Sequence, residues 1–133
     1  MIYSIYPESI NAQTITECVE RFKRGEIAII PTDSVYAVAG DFQHPLAMEK
    51  LAKIKKESVK AAEFSFLFTN LSQVSEYTQS LDGGTFKLLK RCLPGPYTMV
   101  LEANIALARK LGQKRKTIGI RIPDHPIVMA LCK

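Results

Sequence analysis

Lys116-Thr117-Ile118-Gly119-Ile120-Arg121-Ile122-Pro123 alternates with a period of two. Ile118, Ile120 and Ile122 point one way and Thr117, Gly119 and Arg121 the other, the pattern of a β-strand. The isoleucine face is too apolar to meet water and calls for helices or loops to cover it. The opposite face carries a hydroxyl, a bare glycine and a guanidinium. Gly119 leaves space there for a ligand, or for another backbone, to lie against the sheet. A half-buried Arg121 needs an anionic partner, and its planar fork suits a carboxylate or a phosphate. Either a bound anion or an internal acid such as Asp33 or Asp41 meets that need.

Working outward, Pro123 ends the strand, and a last helix is expected from near Asp124 through Val128 and Leu131 to the terminus. Upstream, Ile105 to Leu111 reads as a short helix and Tyr97 to Glu102 as a strand. Leu93-Pro94-Gly95-Pro96 breaks a helix running from Gly84 to Cys92, in which Phe86, Leu89 and Leu93 share a face. A short helix is expected near Leu71 to Tyr77. Phe64-Ser65-Phe66-Leu67-Phe68 alternates aromatics with Ser65 and Leu67, as a strand packed on one face does. Pro45 opens a helix that carries Ala47, Met48, Leu51 and Ile54 on one side. Thr32 to Gln43 holds turn signals. Glu26 to Ile30 reads as a buried strand ended by Pro31, and Ala12, Ile15, Val19 and Phe22 mark a helix over Asn11 to Arg24, stopped by Gly25. Ile2 to Ile5 reads as a first short strand. Strands interspersed with helices indicate an α/β fold, a sheet covered by helices.

The 133 residues fit a single domain spanning 1–133. Apolar residues at 47% and charged ones at 23% are an ordinary globular mix. No apolar run approaches the roughly 20 residues of a membrane-spanning helix, and the start lacks the basic and apolar regions of a signal peptide. A cytoplasmic protein with no membrane partner is expected. Cys18, Cys92 and Cys132 are odd in number and far apart, which argues for free thiols and against a zinc site. His44 and His125 each precede a proline and read as helix-start residues. Net charge is +5, concentrated in Lys50, Lys53, Lys55, Lys56 and Lys60, in Lys87, Lys90 and Arg91, and in Arg109, Lys110, Lys114, Arg115, Lys116 and Arg121. Such clusters either attract phosphates or are solvated helix faces.

Two further segments could carry chemistry. Pro31-Thr32-Asp33-Ser34-Val35-Tyr36 follows an apolar strand, and ligands of open α/β sheets bind beyond the carboxyl ends of strands. Thr32 and Ser34 offer hydroxyls and Tyr36 a ring with a polar tip. The same residues also suit a turn whose side chains bond their own backbone. Pro94-Gly95-Pro96-Tyr97-Thr98 is a stiff turn that delivers Thr98 to the start of a strand.

Taken in order, three segments resemble those of the YrdC/YciO family, which includes the threonylcarbamoyl-AMP synthases. They are Pro31-Thr32-Asp33-Ser34-Val35-Tyr36, Leu93-Pro94-Gly95-Pro96-Tyr97-Thr98 and Thr117-Ile118-Gly119-Ile120-Arg121-Ile122-Pro123-Asp124-His125-Pro126. The resemblance implies a twisted mixed α/β sheet with flanking helices and a concave basic cavity. In the synthases that cavity takes ATP with magnesium, L-threonine and bicarbonate and makes threonylcarbamoyl-adenylate, the precursor of a tRNA modification. It implies no tightly bound cofactor and no resident metal. Carried over by position, Thr32, Tyr36 and Arg121 form the substrate-binding set, with Thr32 at the threonine and Arg121 at its carboxylate. Lys55 is placed at the ATP phosphates, and Thr98 and Thr117 on the nucleotide side. No general base or other catalytic residue is assigned.

Two departures separate the chain from the synthase pattern. Lys55-Lys56-Glu57 stands where the family has Lys-x-Arg, putting an acid in place of an arginine. This, with Glu63-Phe64-Ser65-Phe66-Leu67-Phe68, resembles the YciO branch more closely. The resemblance also covers only the N-terminal two-thirds of the domain, so the Ser-x-Asn strand and the final part of the fold fall outside it. An open sheet edge is expected to be covered, most simply by a second copy as a homodimer, and synthase activity to be weak or lost. The alternative function is a non-catalytic module that binds nucleotide or RNA, either tRNA or double-stranded RNA, with affinity falling steeply in salt.

Overall fold

The computed structural model describes residues 1–59, 62–111 and 116–133. Its elements run α1 (Ala12–Lys23), β1 (Ile27–Ile30), β2 (Ala37–Gly40), α2 (Pro45–Ile54), β3 (Ser65–Leu67), α3 (Leu71–Ser75), α4 (Gly83–Cys92), β4 (Met99–Glu102), α5 (Ile105–Leu111), β5 (Thr117–Arg121) and α6 (Pro126–Cys132). They fall into two compact units: Met1–Ala62 with His125–Leu131 and Lys133, and Glu63–Asp124 with Cys132. Lys60, Lys114 and Arg115 of the basic clusters lie outside the described residues. The mixed α/β architecture is the one expected, with its strands divided between two sheets.

In the second unit β5 is the middle strand of the order β3-β5-β4, parallel to β3 and antiparallel to β4. A middle strand has both edges paired, so the alternation of its sequence decides only which face is dry. Ile118 and Ile120 are buried with Phe66 of β3, and Leu89 of α4, Leu107 of α5 and Val74 of α3 are buried in the same unit. Each of the three helices starts on a side chain that accepts from an otherwise unpaired N–H. Asn70 takes Gln73 N at 2.9 Å, Asp82 takes Thr85 N at 2.7 Å, and Asn104 takes Ala106 N at 3.0 Å.

The first unit is built on the antiparallel pair β1–β2, registered from Ile27↔Gly40 to Ile30↔Ala37. Ala47, Met48, Leu51 and Ala52 form the buried side of α2. Gly40 is the point of close approach: a Cβ there would meet Ile27 at 3.0 Å and Ala47 at 3.2 Å. Helix ends follow one device. After α1, Gly25 N–H bonds Phe22 O and Glu26 N–H bonds Arg21 O, a Schellman closure with Gly25 at φ +86°. After α2, Lys56 N–H bonds Lys53 O and Glu57 N–H bonds Ala52 O, the same closure with Lys56 at φ +58° where glycine would be unstrained. Helix starts α2 and α6 also match each other. His44 Nδ1 accepts from Leu46 N and His125 Nδ1 from Ile127 N, each at 3.3 Å and each followed by proline at the first turn. Both histidines are the helix-start residues their neighbours suggested.

Four local expectations fail. Ile2 to Ile5 forms no strand; Ile2 is 92% exposed, and an isolated bridge joins Tyr6 to Ser9. A short apolar run becomes a strand only where a neighbour supplies hydrogen bonds, and none among the described residues does. β1 is apolar in sequence but only Ile30 is buried. The turn-rich stretch after Thr32 contains β2, whose Ala-Val-Ala-Gly composition has weak strand propensity and forms through its pairing with β1. Ile54 and Phe86, expected on the covered faces of α2 and α4, are exposed, since each lies at the margin of its apolar stripe.

Candidate functional site

The open face of the β3-β5-β4 sheet follows from register. Residues directly opposite in a ladder share a face. Ser65 and Val100 flank Gly119, Leu67 flanks Arg121, and Glu102 faces Thr117. Thr98 joins this set, its Cγ2 lying 3.5 Å from where a Gly119 Cβ would stand, with Ser65 Oγ at 3.7 Å. The structure therefore gathers Thr98, Thr117 and Arg121 on one surface, and Ser65, Thr98 and Thr117 are exposed upon it. Four steps along the strand lead from Thr117 to Arg121, a span of about 13 Å.

At Gly119 the nearest atoms would make only ordinary contact with a methyl group. Packing of the described residues does not demand the glycine, so its effect is to keep the middle of the face low. Arg121 stands half-buried at one end and Glu102 exposed at the other. Such a face can pair an anion with the guanidinium and offer hydroxyls along an extended ligand.

Thr32 and Tyr36 occupy the six-residue connection between β1 and β2 in the first unit. Thr32 Oγ1 donates to Val35 O, accepts from Ser34 N at 3.1 Å and lies 3.2 Å from Ser34 Oγ. Its hydroxyl is thus engaged within its own turn, while Tyr36 projects with 76% of its surface exposed. Lys55 is the C-cap residue of α2, where a cation also favours the negative end of the helix dipole. Lys50 donates to Gly25 O at 3.1 Å and so helps to close α1.

Ionisable groups elsewhere are tied to structure. Arg21 bonds Glu26 at 2.6 Å, and that hydrogen bond holds the Glu26 carboxyl below its usual range. Burial pushes the Cys132 thiol up to about 11, and burial likewise raises Cys18. Among the described residues no group of three or more His, Cys, Asp or Glu side chains could hold a metal ion, and no helix is long and apolar enough to cross a membrane.

Ser65, Leu67, Val100 and Glu102 are members of the face that the sequence reading did not single out. Ser65 and Leu67 carried a signal in the alternation with three phenylalanines. Val100 and Glu102 carried none, because only the register with β5 places them opposite Gly119 and Thr117.

A mixed α/β chain with an arginine-bearing open sheet face is the class these features define. The chain belongs to the Sua5/YciO/YrdC family, described as telomere recombination, whose profile matches residues 20–133. It is 35% identical over 130 residues to the uncharacterized protein YciO of Escherichia coli, an alignment covering 97% of this chain and 62% of that one. The crystal structure of E. coli YciO superposes with a TM-score of 0.83, covering 96% of this chain and 61% of the other. A threonylcarbamoyl-AMP synthase of Coxiella burnetii is 30% identical over 122 residues, 91% of this chain and 64% of the relative. The structure of P. abyssi Sua5 complexed with L-threonine shares the fold, with a TM-score of 0.79 at 21% identity over 92% of this chain and 36% of that one. The chain thus spans under two-thirds of the length of these relatives.

Proposed function

We propose that the open face of the β3-β5-β4 sheet binds an L-threonine-like amino acid and an adenine nucleotide, in the manner of a threonylcarbamoyl-AMP synthase. The observation that carries the reading is the shared face on which Thr98 and Ser65 lie beside Gly119, with Thr117 and Arg121 on either side of it along β5. A threonine-bound Sua5 of the same fold and a synthase at 30% identity support the choice of ligand classes. Arg121 takes the carboxylate and Thr98 and Thr117 line the nucleotide side, while the family resemblance assigns Thr32 and Tyr36 of the first unit to the amino acid. The same resemblance assigns Lys55 of the first unit to the phosphates of ATP, which enters as its magnesium complex. In the reaction, the threonine amine displaces water from bicarbonate to give a carbamate whose oxygen attacks the α-phosphorus. Pyrophosphate leaves, and positive groups stabilise the charge that builds on the phosphate oxygens.

Binding without rapid turnover is the second reading, and Glu57 and Glu102 favour it. Glu57 follows Lys55-Lys56 at the carboxyl end of α2, and Glu102 sits on the ligand face itself. Each adds negative charge beside a residue assigned to the nucleotide, Glu57 near Lys55 in sequence and Glu102 opposite Thr117, so turnover slower than in the synthases is expected, and RNA competes as the polyanion if turnover is absent. Pyrophosphate release dependent on ATP, threonine and bicarbonate distinguishes the readings. Release that exceeds a Thr32→Ala control supports the synthase; none above that control, with tRNA affinity that falls steeply in salt, supports the binding module.

A further inference from the structure

Glu102 is the charged residue of the open sheet face to which neither ligand gives a role. It stands opposite Thr117 in the end pair of the β4–β5 ladder, the two Cα atoms about 5 Å apart. Its side chain is exposed, and among the described residues no ion pair or hydrogen bond engages its carboxylate. Two positions back on the same face, Val100 lies opposite Gly119 and is 67% exposed. A carboxylate accepts hydrogen bonds and donates none, so a group that meets Glu102 must be a donor without negative charge. Val100 and the bare glycine add an apolar, low-lying surface beside that acceptor. Phosphate fits neither feature, whereas a flat ring with an amine on its edge fits both.

The order of the ligand along β5 points the same way. With Arg121 on the carboxylate of the amino acid, the α-phosphorus, which is attacked through a carbamate on that amino acid's nitrogen, lies toward the Arg121 end. Thr117, about 13 Å along the strand, is left for the far end of the nucleotide, its base. We infer, on the reading of this face as a threonine and nucleotide site, that Glu102 accepts a hydrogen bond from the N6 amine of adenine while Val100 and Gly119 take the flat of the ring. Glu102 thereby selects a 6-amino over a 6-oxo purine. Adenine presents N6–H2, a donor, where guanine and hypoxanthine present O6, an acceptor, and a carboxylate bonds the first and repels the second. Magnesium is the rival partner, since a single carboxylate can join substrate phosphates in holding it. Magnesium follows the phosphates, however, and those lie toward Arg121 and away from the apolar surface of Val100.

Equilibrium dialysis of the 133-residue chain against ATP and against ITP, each with magnesium, tests the assignment. The two nucleotides share the triphosphate and ribose and differ at the purine edge, so the ratio of their affinities is blind to repulsion between Glu102 and phosphate. The parent is expected to prefer ATP by about tenfold or more, the margin of a hydrogen bond to a charged group. Glu102→Ala, which removes the acceptor from an exposed position, is expected to bring the ratio near one. Glu102→Gln keeps the length of the side chain and can donate to O6 as well as accept from N6, so it should narrow the ratio too. Equal affinities in the parent, or a preference for ATP that survives Glu102→Ala, overturn the role of Glu102 and leave the nucleotide site standing. A variant that shifts both affinities by one factor does the same, since charge or magnesium alone would act on the shared triphosphate. Binding of neither nucleotide to the parent overturns the nucleotide site and this role with it.

Discussion

β1 and β5 are both short and rich in isoleucine, and they end in opposite environments. Ile-Ala-Ile-Ile in β1 is the more apolar, yet Ala28 and Ile29 are exposed and only Ile30 is buried. Thr-Ile-Gly-Ile-Arg in β5 contains two polar residues, yet Ile118 and Ile120 are almost wholly covered. Among the described residues β5 has a neighbour on each edge and β1 has one. Burial of a strand is therefore set by the number of elements around it, and apolar sequence is a demand that the fold meets in one unit and leaves open in the other.

The largest expected effect probes this contrast directly. Ile120→Ala removes a fully buried side chain and is expected to destabilise by about 2–5 kcal/mol, whereas Ile29→Ala falls within about 0.5 kcal/mol of the parent. Urea unfolding of the two variants checks the pair, and equal losses would mean that β1 is as well covered as β5. A smaller effect concerns the ends of the helices. Lys56 holds a left-handed conformation that Gly25 adopts without a Cβ. Lys56→Gly is expected to stabilise by about 1 kcal/mol, read as a higher midpoint of thermal unfolding, and a lower midpoint would show that the lysine makes a compensating contact.

The smallest effect is a pH dependence in the second unit. The backbone N–H of Thr85 bonds Asp82 and holds its carboxyl below the usual range. A carboxyl depressed on folding contributes stability above its unfolded pKa of about 3.9 and loses it as pH falls through the lower folded value. The stability gap between the parent and Asp82→Ala should thus be full at neutral pH and close in acid. Asp82→Asn keeps the accepting oxygen and removes the titration, so its own stability should not follow that curve. A gap that stays constant down to strong acid would show that the carboxylate charge contributes nothing to the cap.

Much of the second unit was legible in advance because its signals are local. The period of two in Thr117 to Ile122, the aromatics of Phe64 to Phe68 and the breakers around Pro94 each specify an element without reference to distant residues. β2 was not legible, since Ala37-Val38-Ala39-Gly40 has little preference of its own and its strand state comes from four pairings with β1. Ile2 to Ile5 misled for the converse reason, having strand composition and no strand partner among the described residues. On the open face of the β3-β5-β4 sheet, Thr117, Gly119 and Arg121 could be read from alternation. Val100 and Glu102 became members only through register, which depends on how β4 docks against β5. Thr32 shows a further limit: composition cannot tell a hydroxyl offered to a ligand from one bonded into its own turn.

Calorimetric titration of L-threonine in the presence of ATP, into the parent chain and into Arg121→Gln, tests the guanidinium face most directly. The account predicts saturable heat for the parent and affinity about tenfold or more weaker in the variant, the loss expected for a hydrogen bond to a charged group. Equal affinity in the two proteins, or no heat with the parent, would contradict it.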